Sequence, residues 1–371
     1  MTAPRIEIDL KKIQHNTDCL VKRLKSRGIS VVGVTKAVAG DPGVANAMLD
    51  GGAIGLAEAR IGNVERLREA GFTCPISMIR TPMLSQTDQV VRNCETSYNT
   101  EISVINGLAE AAIRANVIHN IILMVEMGDM REGILPEELV AVALQVLNMP
   151  GVALVGIGAN FACLNGEAAD ATAVAKLTAL ANEVEVHCGA IIETLSGGNS
   201  ANLPSVLGKE PIGRINNLRI GEAILLGVDP VSGHQIDGLY TDAFKLTAEI
   251  IETQSKPEAT PFVTPGLAEL RVVPTHNPNI RSLLGVGYQD TDVTGLSMPS
   301  GVTLVGGTSD HTIISTTRSD LKVGREIHFG VNYAALMRAM IAPDIEKVLV
   351  SDKTRCAHGS VTQNKPSLAA V

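Results

Sequence analysis

Up to about Gly227 the chain alternates short apolar, β-branched runs with amphipathic stretches of helical period. The runs are Val31–Val34, Ile54–Ala57, Ile76–Ile79, Thr96–Tyr98, Ile121–Val125, Val152–Ile157, Ile191–Leu195 and Asn217–Ile220. Between them the pattern predicts helices over Pro42–Asp50, Glu58–Ala70, Glu101–Ala115, Glu137–Asn148 and Ala168–Cys188. Asp41-Pro42 marks a helix start, an acidic cap followed by proline at the first helical position. Continuous apolar strands that alternate with helices predict a parallel sheet buried on both faces. Eight such units in this length fit a closed (β/α)8 TIM barrel better than an open sheet.

After Asp229-Pro230 the texture changes. Phe244–Thr253, Phe262–Val263, Leu267–Val273, Leu283–Gly287, Val302–Val305 and Thr312–Thr316 are short and bounded by Gly, Pro, Ser and Asn, which predicts an antiparallel β domain. One more helical pattern covers Tyr333–Met340. The expected organisation is α/β: a barrel over 1–229, a C-terminal β domain over 230–350, and a polar, aperiodic mobile tail over 351–371.

Composition narrows the function classes. With 31 Lys+Arg against 39 Asp+Glu, no Trp, 4 Tyr and 5 Phe, the chain lacks the basic surface and stacking rings that nucleic acid requires. No apolar leader precedes the first strand, and the uncharged stretch from Leu139 to Gly166 is broken by Pro150 and several glycines. A cytoplasmic, soluble protein with no membrane partner is expected. The six cysteines show no paired spacing and the eight histidines no ligand spacing, so neither disulfides nor a metal site is expected.

Barrel chemistry sits at the C-terminal ends of the strands, with phosphate groups after the seventh and eighth. Lys36 closes the first strand, and burial at the mouth would lower its pKa and suit it to Schiff-base chemistry. Taken alone, a lysine at a strand end is more often a solvated charge. Arg131, in GDMREG, follows the fifth strand, and Asn160, in GANFAC, follows the sixth. After the seventh, SGGNSAN offers glycines for close backbone approach, together with the amide and hydroxyl of Asn199 and Ser200. The eighth gives LRIGEAILLG, with Arg219 inside the strand, where a guanidinium requires a partner, and Gly221 just beyond it. Lysine, phosphate cradle and inward arginine together describe a site for pyridoxal 5′-phosphate.

These motifs, with VTKAVAGD, GVGYQDTD and GGTSDH, resemble the fold-type III pyridoxal-phosphate enzymes in their alanine racemase form, and most closely the ornithine/alanine-racemase-like branch. The resemblance runs from about Ile6 to Val350. It implies that Lys36 holds the cofactor and that Arg131 contacts its phenolic oxygen and the substrate carboxylate. Asn160 lies beside the cofactor in this scheme. The phosphate would lie on Asn199, Ser200, the backbone of Gly221 and Glu222, and Tyr333; Arg219 would face the pyridine nitrogen. Tyr288 would be a second catalytic base delivered by the partner subunit of a homodimer, with Ser309 and Asp310 closing the substrate site from that partner. The implied activity is two-base racemisation of an amino acid.

Three departures from the alanine racemase pattern bear on the substrate. Gly40 stands where a tyrosine follows the lysine by four residues, Asn160 replaces a histidine, and GYQDTD keeps Tyr288 without the residues usual after it. A roomier entrance, made acidic by Asp129, Glu132, Asp290 and Asp292, implies a longer or basic substrate such as ornithine or lysine. Two other readings stay open: a basic amino-acid decarboxylase of the same fold type, and a non-catalytic pyridoxal-phosphate binding protein.

Overall fold

The computed structural model describes residues 2–161, 170–255, 280–316 and 318–350. The chain opens with β1 (Arg5–Ile8) and α1 (Leu10–Lys25), the latter capped by the Asp9 carboxylate accepting from the Lys12 N–H. Neither belongs to the alternation that predicts the barrel. Eight parallel strands then close on themselves: β2 (Ser30–Val34), β3 (Leu56–Glu58), β4 (Ile76–Met78), β5 (Thr96–Asn99), β6 (His119–Val125), β7 (Val152–Ala159), β8 (Thr194–Ser196) and β9 (Asn217–Ile220). Closure pairs β2 with β9, setting Val32 opposite Arg219, so the strand leading to Lys36 lies beside the one carrying the arginine.

The outer helices are α2 (Pro42–Asp50), α3 (Ile61–Glu69), α4 (Thr87–Asn93), α5 (Ile102–Ala115), α6 (Leu139–Leu147) and α7 (Ala171–Cys188), with the short α8 (Leu203–Leu207) and α9 (Glu222–Leu226) after the last two strands. The expected cap at Asp41-Pro42 is present, the Asp41 carboxylate accepting from the Val44 N–H at 2.9 Å.

Two strands sit later than their apolar runs. Ile54 and Ile191 are 58% and 78% exposed, and β3 and β8 instead run into the buried polar residues Glu58 and Ser196. Those groups are tolerated inside because they are bonded: the Ser196 hydroxyl donates to the Asn217 Oδ1 at 2.8 Å, and Glu58 accepts from three donors. Glu58 therefore ends a strand, and α3 begins at Ile61 rather than at Glu58.

The second sheet contains β10 (Phe244–Ser255), β11 (Ile280–Leu284), β12 (Leu296–Ser297), β13 (Val302–Gly307), β14 (Thr312–Thr316) and β15 (Glu326–Val331), in the order β12-β15-β10-β11-β14-β13. Alternation fixes its buried face, with Phe244, Leu246, Ala248 and Ile250 inside and Lys245 and Glu249 outside. The segment between β15 and the last strand forms α10 (Tyr333–Ile341), and β16 (Glu346–Leu349) follows. The expectation of a wholly antiparallel sheet needs one correction. β1 pairs antiparallel with β10 but parallel with β16, so Arg5–Ile8, expected within the barrel segment, lies in the second sheet. The expected strands at Phe262–Val263 and Leu267–Val273, the start of the Ala168–Cys188 helix and the 351–371 tail fall outside the described residues.

The barrel core carries one titratable group with a consequence for folding. His119, 2% exposed at the start of β6, shares a 2.8 Å hydrogen bond with the Ser97 hydroxyl, and burial pushes its pKa down to about 4. In the unfolded chain it takes up a proton near pH 6.5, so between that pH and about 4 the unfolded state binds more protons and folding stability falls as the pH falls. We expect His119→Asn to flatten this part of the pH–stability curve, worth on the order of 3 kcal/mol at its lower end. Urea melting curves at pH 7 and 4.5 check it, and an unchanged difference between the two pH values for wild type and variant contradicts it.

Candidate active site

A cavity of about 370 Å³ opens at the C-terminal mouth of the barrel. Nine of the residues singled out from the sequence line it: Lys36, Arg131, Asn160, Asn199, Ser200, Arg219, Gly221, Glu222 and Tyr333. Tyr288, Ser309 and Asp310 do not. They gather on the second sheet's loops, where the Tyr288 N–H donates to the Thr308 carbonyl, the Ser309 hydroxyl donates to Asp310 at 2.6 Å, and Tyr288 is 38% exposed.

Lys36 begins a tight helical turn after β2. The Thr35 carbonyl accepts from the N–H groups of both Val38 and Gly40, and Ala39 and Gly40 are both left-handed, at φ 52° and 65°. The turn is braced from α3 and β3: Arg66 donates to the Ala39 carbonyl, and the Thr35 hydroxyl donates to the buried Glu58 at 3.0 Å. Burial holds the Glu58 carboxyl above its ordinary pKa, against the opposing pull of Asn63, the Ala59 N–H and Thr35. Lys36 itself is exposed at the mouth, so the protein around it does not supply the desolvation expected from the sequence.

Gly40 has a reason of its own. A Cβ there would lie 2.8 Å from the Asn63 carbonyl oxygen, and Gly40 is absent from the cavity lining. A left-handed turn packed on α3 thus favours glycine at this position, where the alanine racemase pattern has a tyrosine.

Arg219 is 3% exposed, yet its guanidinium is permanently charged. It donates to the Ala159 carbonyl at 2.6 Å and to the Asn160 Oδ1 at 3.0 Å, and it lies over the Tyr98 ring, 4.7 Å from the centroid. The partner required by the sequence is thereby found. Asn160 passes the chain on, donating to the Glu132 Oε1 at 2.7 Å, and Glu132 accepts from Arg131 Nη2 at 2.6 Å and also meets its Nε. Asp129 stands 3.7 Å from the same guanidinium. Tyr98 was not legible as a site residue: it lies in the least apolar of the eight strands, and only its rarity as an aromatic in this chain marks it.

At the other side of the mouth, the Ser200 hydroxyl accepts from the Ala223 N–H at 3.2 Å, tying the loop after β8 to the start of α9. A Cβ on Gly221 would press on Val34 at 3.1 Å, so a side chain there would push the ends of β2 and β9 apart by a few tenths of an ångström. Tyr333, at the start of α10, arrives from the C-terminal part of the same chain, because α10 packs on the Lys36 turn. Glu222 faces this group, and burial, helped by Asp229 and opposed by Lys36, pushes its carboxyl up to about 7.

An amine, a buried donor locked for a ring acceptor, and a hydroxyl beside glycine-lined backbone, all around one cavity, fit pyridoxal phosphate. The barrel, the second sheet and this site define a pyridoxal-phosphate enzyme of the alanine racemase architecture. The family model for the alanine racemase N-terminal domain matches residues 8–229, and the chain belongs to that family. It is 35% identical to a lysine racemase of Thermotoga maritima over 94% of this chain and 99% of that one. An ornithine racemase of Acetoanaerobium sticklandii is 29% identical over 94% and 99%. Among solved structures, an alanine racemase of Clostridium difficile 630 superimposes with a TM-score of 0.70 at 21% identity, over 95% of this chain and 97% of that one. The chain is a pyridoxal-phosphate-dependent amino-acid racemase, an isomerase. Among the described residues no helix is long and apolar enough to cross a membrane.

The Lys36 turn gives a direct test. Gly40→Ala should destabilise the fold by on the order of 1–3 kcal/mol through the left-handed backbone and the Asn63 contact. Thermal unfolding reads it, and a variant as stable as the wild type would show that the turn is not braced as described.

Proposed function

We propose that this enzyme interconverts the enantiomers of a basic amino acid, lysine or ornithine, by a two-base mechanism in a homodimer. The observation that carries the proposal is the gathering of Lys36, Arg131, Arg219, Ser200 and Tyr333 around one cavity, in a chain that matches a lysine and an ornithine racemase nearly end to end.

Bound pyridoxal phosphate supplies a carbonyl carbon that condenses with amines and a ring that accepts the electron pair left when the α-proton departs. Everything else is work for the chain. Lys36 would hold the cofactor through its amine, then take or return the α-proton on one face of the substrate. Arg131, aimed by Glu132 and Asp129, would hold the α-carboxylate by paired N–H donors. The Ser200 hydroxyl, the backbone N–H groups of Gly221 and Glu222, and the Tyr333 phenol would hold the phosphate, with Asn199 shaping that loop through its bond from the Ala201 N–H.

Arg219 would donate to the pyridine nitrogen. A guanidinium gives up no proton, so the nitrogen would stay unprotonated and the ring would be a moderate electron sink, which favours quick return of the proton over side reactions. This arginine weighs against the decarboxylase reading, where a carboxylate at that nitrogen would strengthen the sink.

Racemisation needs a second proton donor on the face opposite Lys36. Among the described residues lining the cavity, the titratable side chains besides Lys36 and the two arginines are Tyr333, assigned here to the phosphate, and Glu222, whose charge interacts with that of Lys36, while Tyr288 lies exposed on the second sheet beside Ser309 and Asp310. Such a patch suits delivery to a neighbouring subunit's cavity, which would make the dimer the active species. The exposed patch also gives the C-terminal sheet a purpose that a non-catalytic carrier would leave unexplained.

Lys36→Ala should lose the visible absorption of the bound cofactor together with activity, and Tyr288→Phe should keep the absorption and lose racemisation. Mixed and allowed to exchange subunits, the two inactive variants should regain up to about a quarter of wild-type activity, since half the dimers would carry one intact site of two. No regain in a mixture shown to contain hybrid dimers would contradict the shared site.

A further inference from the structure

We propose that the carboxylate of Glu222 receives the distal ammonium of the substrate side chain and so sets the preference for a basic amino acid. The inference rests on the basic-substrate reading above and adds the residue that would enforce it.

Among the described residues the mouth cavity is lined by three cationic side chains, Lys36, Arg131 and Arg219, and by one acid, Glu222. In the proposed complex the three cations already have partners in the cofactor and the substrate carboxylate, so a second ammonium on the substrate needs a carboxylate of its own, and partial burial makes such a pairing stronger than in water. The acids that make the entrance look negative in the sequence are committed elsewhere. Glu132 and Asp129 attend Arg131, Asp290 accepts from the Gly287 N–H at 2.9 Å, and Asp292 accepts from the Thr294 hydroxyl at 2.8 Å. Asp229, the carboxylate whose charge acts on Glu222, is bound into its own turn by the Ser232 hydroxyl at 2.6 Å and the Val231 N–H at 3.1 Å.

Glu222 differs from all of these. Among the described residues its carboxylate takes no hydrogen bond and no ion pair, and the charges it feels are those of Lys36 and Asp229. Its backbone is fixed, because the next N–H is bonded to Ser200 and Gly221 is wedged on Val34. The side chain is thus an unsatisfied acid on a rigid base, half-buried at the edge of the cavity. The raised pKa of about 7 describes the same situation, and an arriving ammonium would favour the ionised form.

The test compares L-lysine with L-norleucine, whose side chain ends in a methyl group in place of the ammonium-bearing carbon. In the wild-type holoenzyme kcat/KM should favour lysine, and in Glu222→Gln the lysine-to-norleucine ratio should fall at least about tenfold. Dissociation constants for the same pair, read from the change in cofactor absorption, should shift in the same sense. Equal losses on both substrates would assign Glu222 to the cofactor or to Lys36 and overturn the inference while leaving the basic-substrate reading standing. A wild-type enzyme with no preference for lysine or ornithine over norleucine would overturn that reading and the inference with it. Should Glu222→Gln fail to load cofactor, Glu222→Asp takes its place: a ratio between those expected supports the inference, and a wild-type ratio overturns it.

Discussion

A guanidinium that cannot lose its proton sits inside the barrel, and much of the site's order follows from accommodating it. Arg219 is held by a strand-end carbonyl, by the amide of Asn160 and by the face of Tyr98. Because the Asn160 amide accepts from Arg219 on one side, it is left to donate on the other, and it donates to Glu132. Glu132 in turn fixes Arg131. One unbroken string of hydrogen bonds therefore connects the residue proposed for the ring nitrogen to the residue proposed for the substrate carboxylate. The two cations are set relative to each other before any ligand arrives, which is the preorganisation that proton transfer at a fixed carbon requires.

The opposite wall is built by close backbone approach. Gly221 lets β2 and β9 touch, Ser200 ties the loop after β8 to α9, and the Lys36 turn is braced by Glu58 and Arg66. The second sheet contributes in two ways. Its α10 carries Tyr333 to the mouth of its own barrel, and its loops leave Tyr288, Ser309 and Asp310 facing outward. The first strand of the chain pairs with β10 and β16 inside the second sheet, and the helix that follows it, α1, packs on α2 of the barrel.

The sequence made the barrel legible through its eight apolar runs, and made most of the site legible because barrel chemistry gathers after strand ends. Lys36, Arg131, Asn160, Ser200 and Gly221 all lie there, and Arg219 lies in the last strand just before its end. What escaped it depends on pairing rather than local pattern. β3 and β8 end on buried polar residues whose cost is cancelled by hydrogen-bond partners that hydropathy does not read, Thr35, Ala59 and Asn63 for Glu58 and Asn217 for Ser196, so hydropathy placed them early. β1 is four residues long and gains its identity only from β10 and β16. Tyr98 acquires meaning only from the guanidinium above it. Gly40 and the acidic entrance show the converse: residue type alone pointed to pocket size and charge, whereas Gly40 also answers to a left-handed turn, Glu132, Asp290 and Asp292 to local hydrogen bonds, and Asp129 to the Arg131 guanidinium. The one acid lining the cavity among the described residues, Glu222, stood in the motif read for its backbone.

The central claim, racemisation of a basic amino acid, is tested most directly by proton NMR in deuterium oxide with the holoenzyme and a panel of L-amino acids, followed by chiral analysis of the same samples. The account predicts loss of the α-proton signal from lysine or ornithine, with both enantiomers accumulating toward equal amounts and no carbon dioxide released. Exchange confined to small neutral amino acids, or decarboxylation of the basic ones, would contradict it.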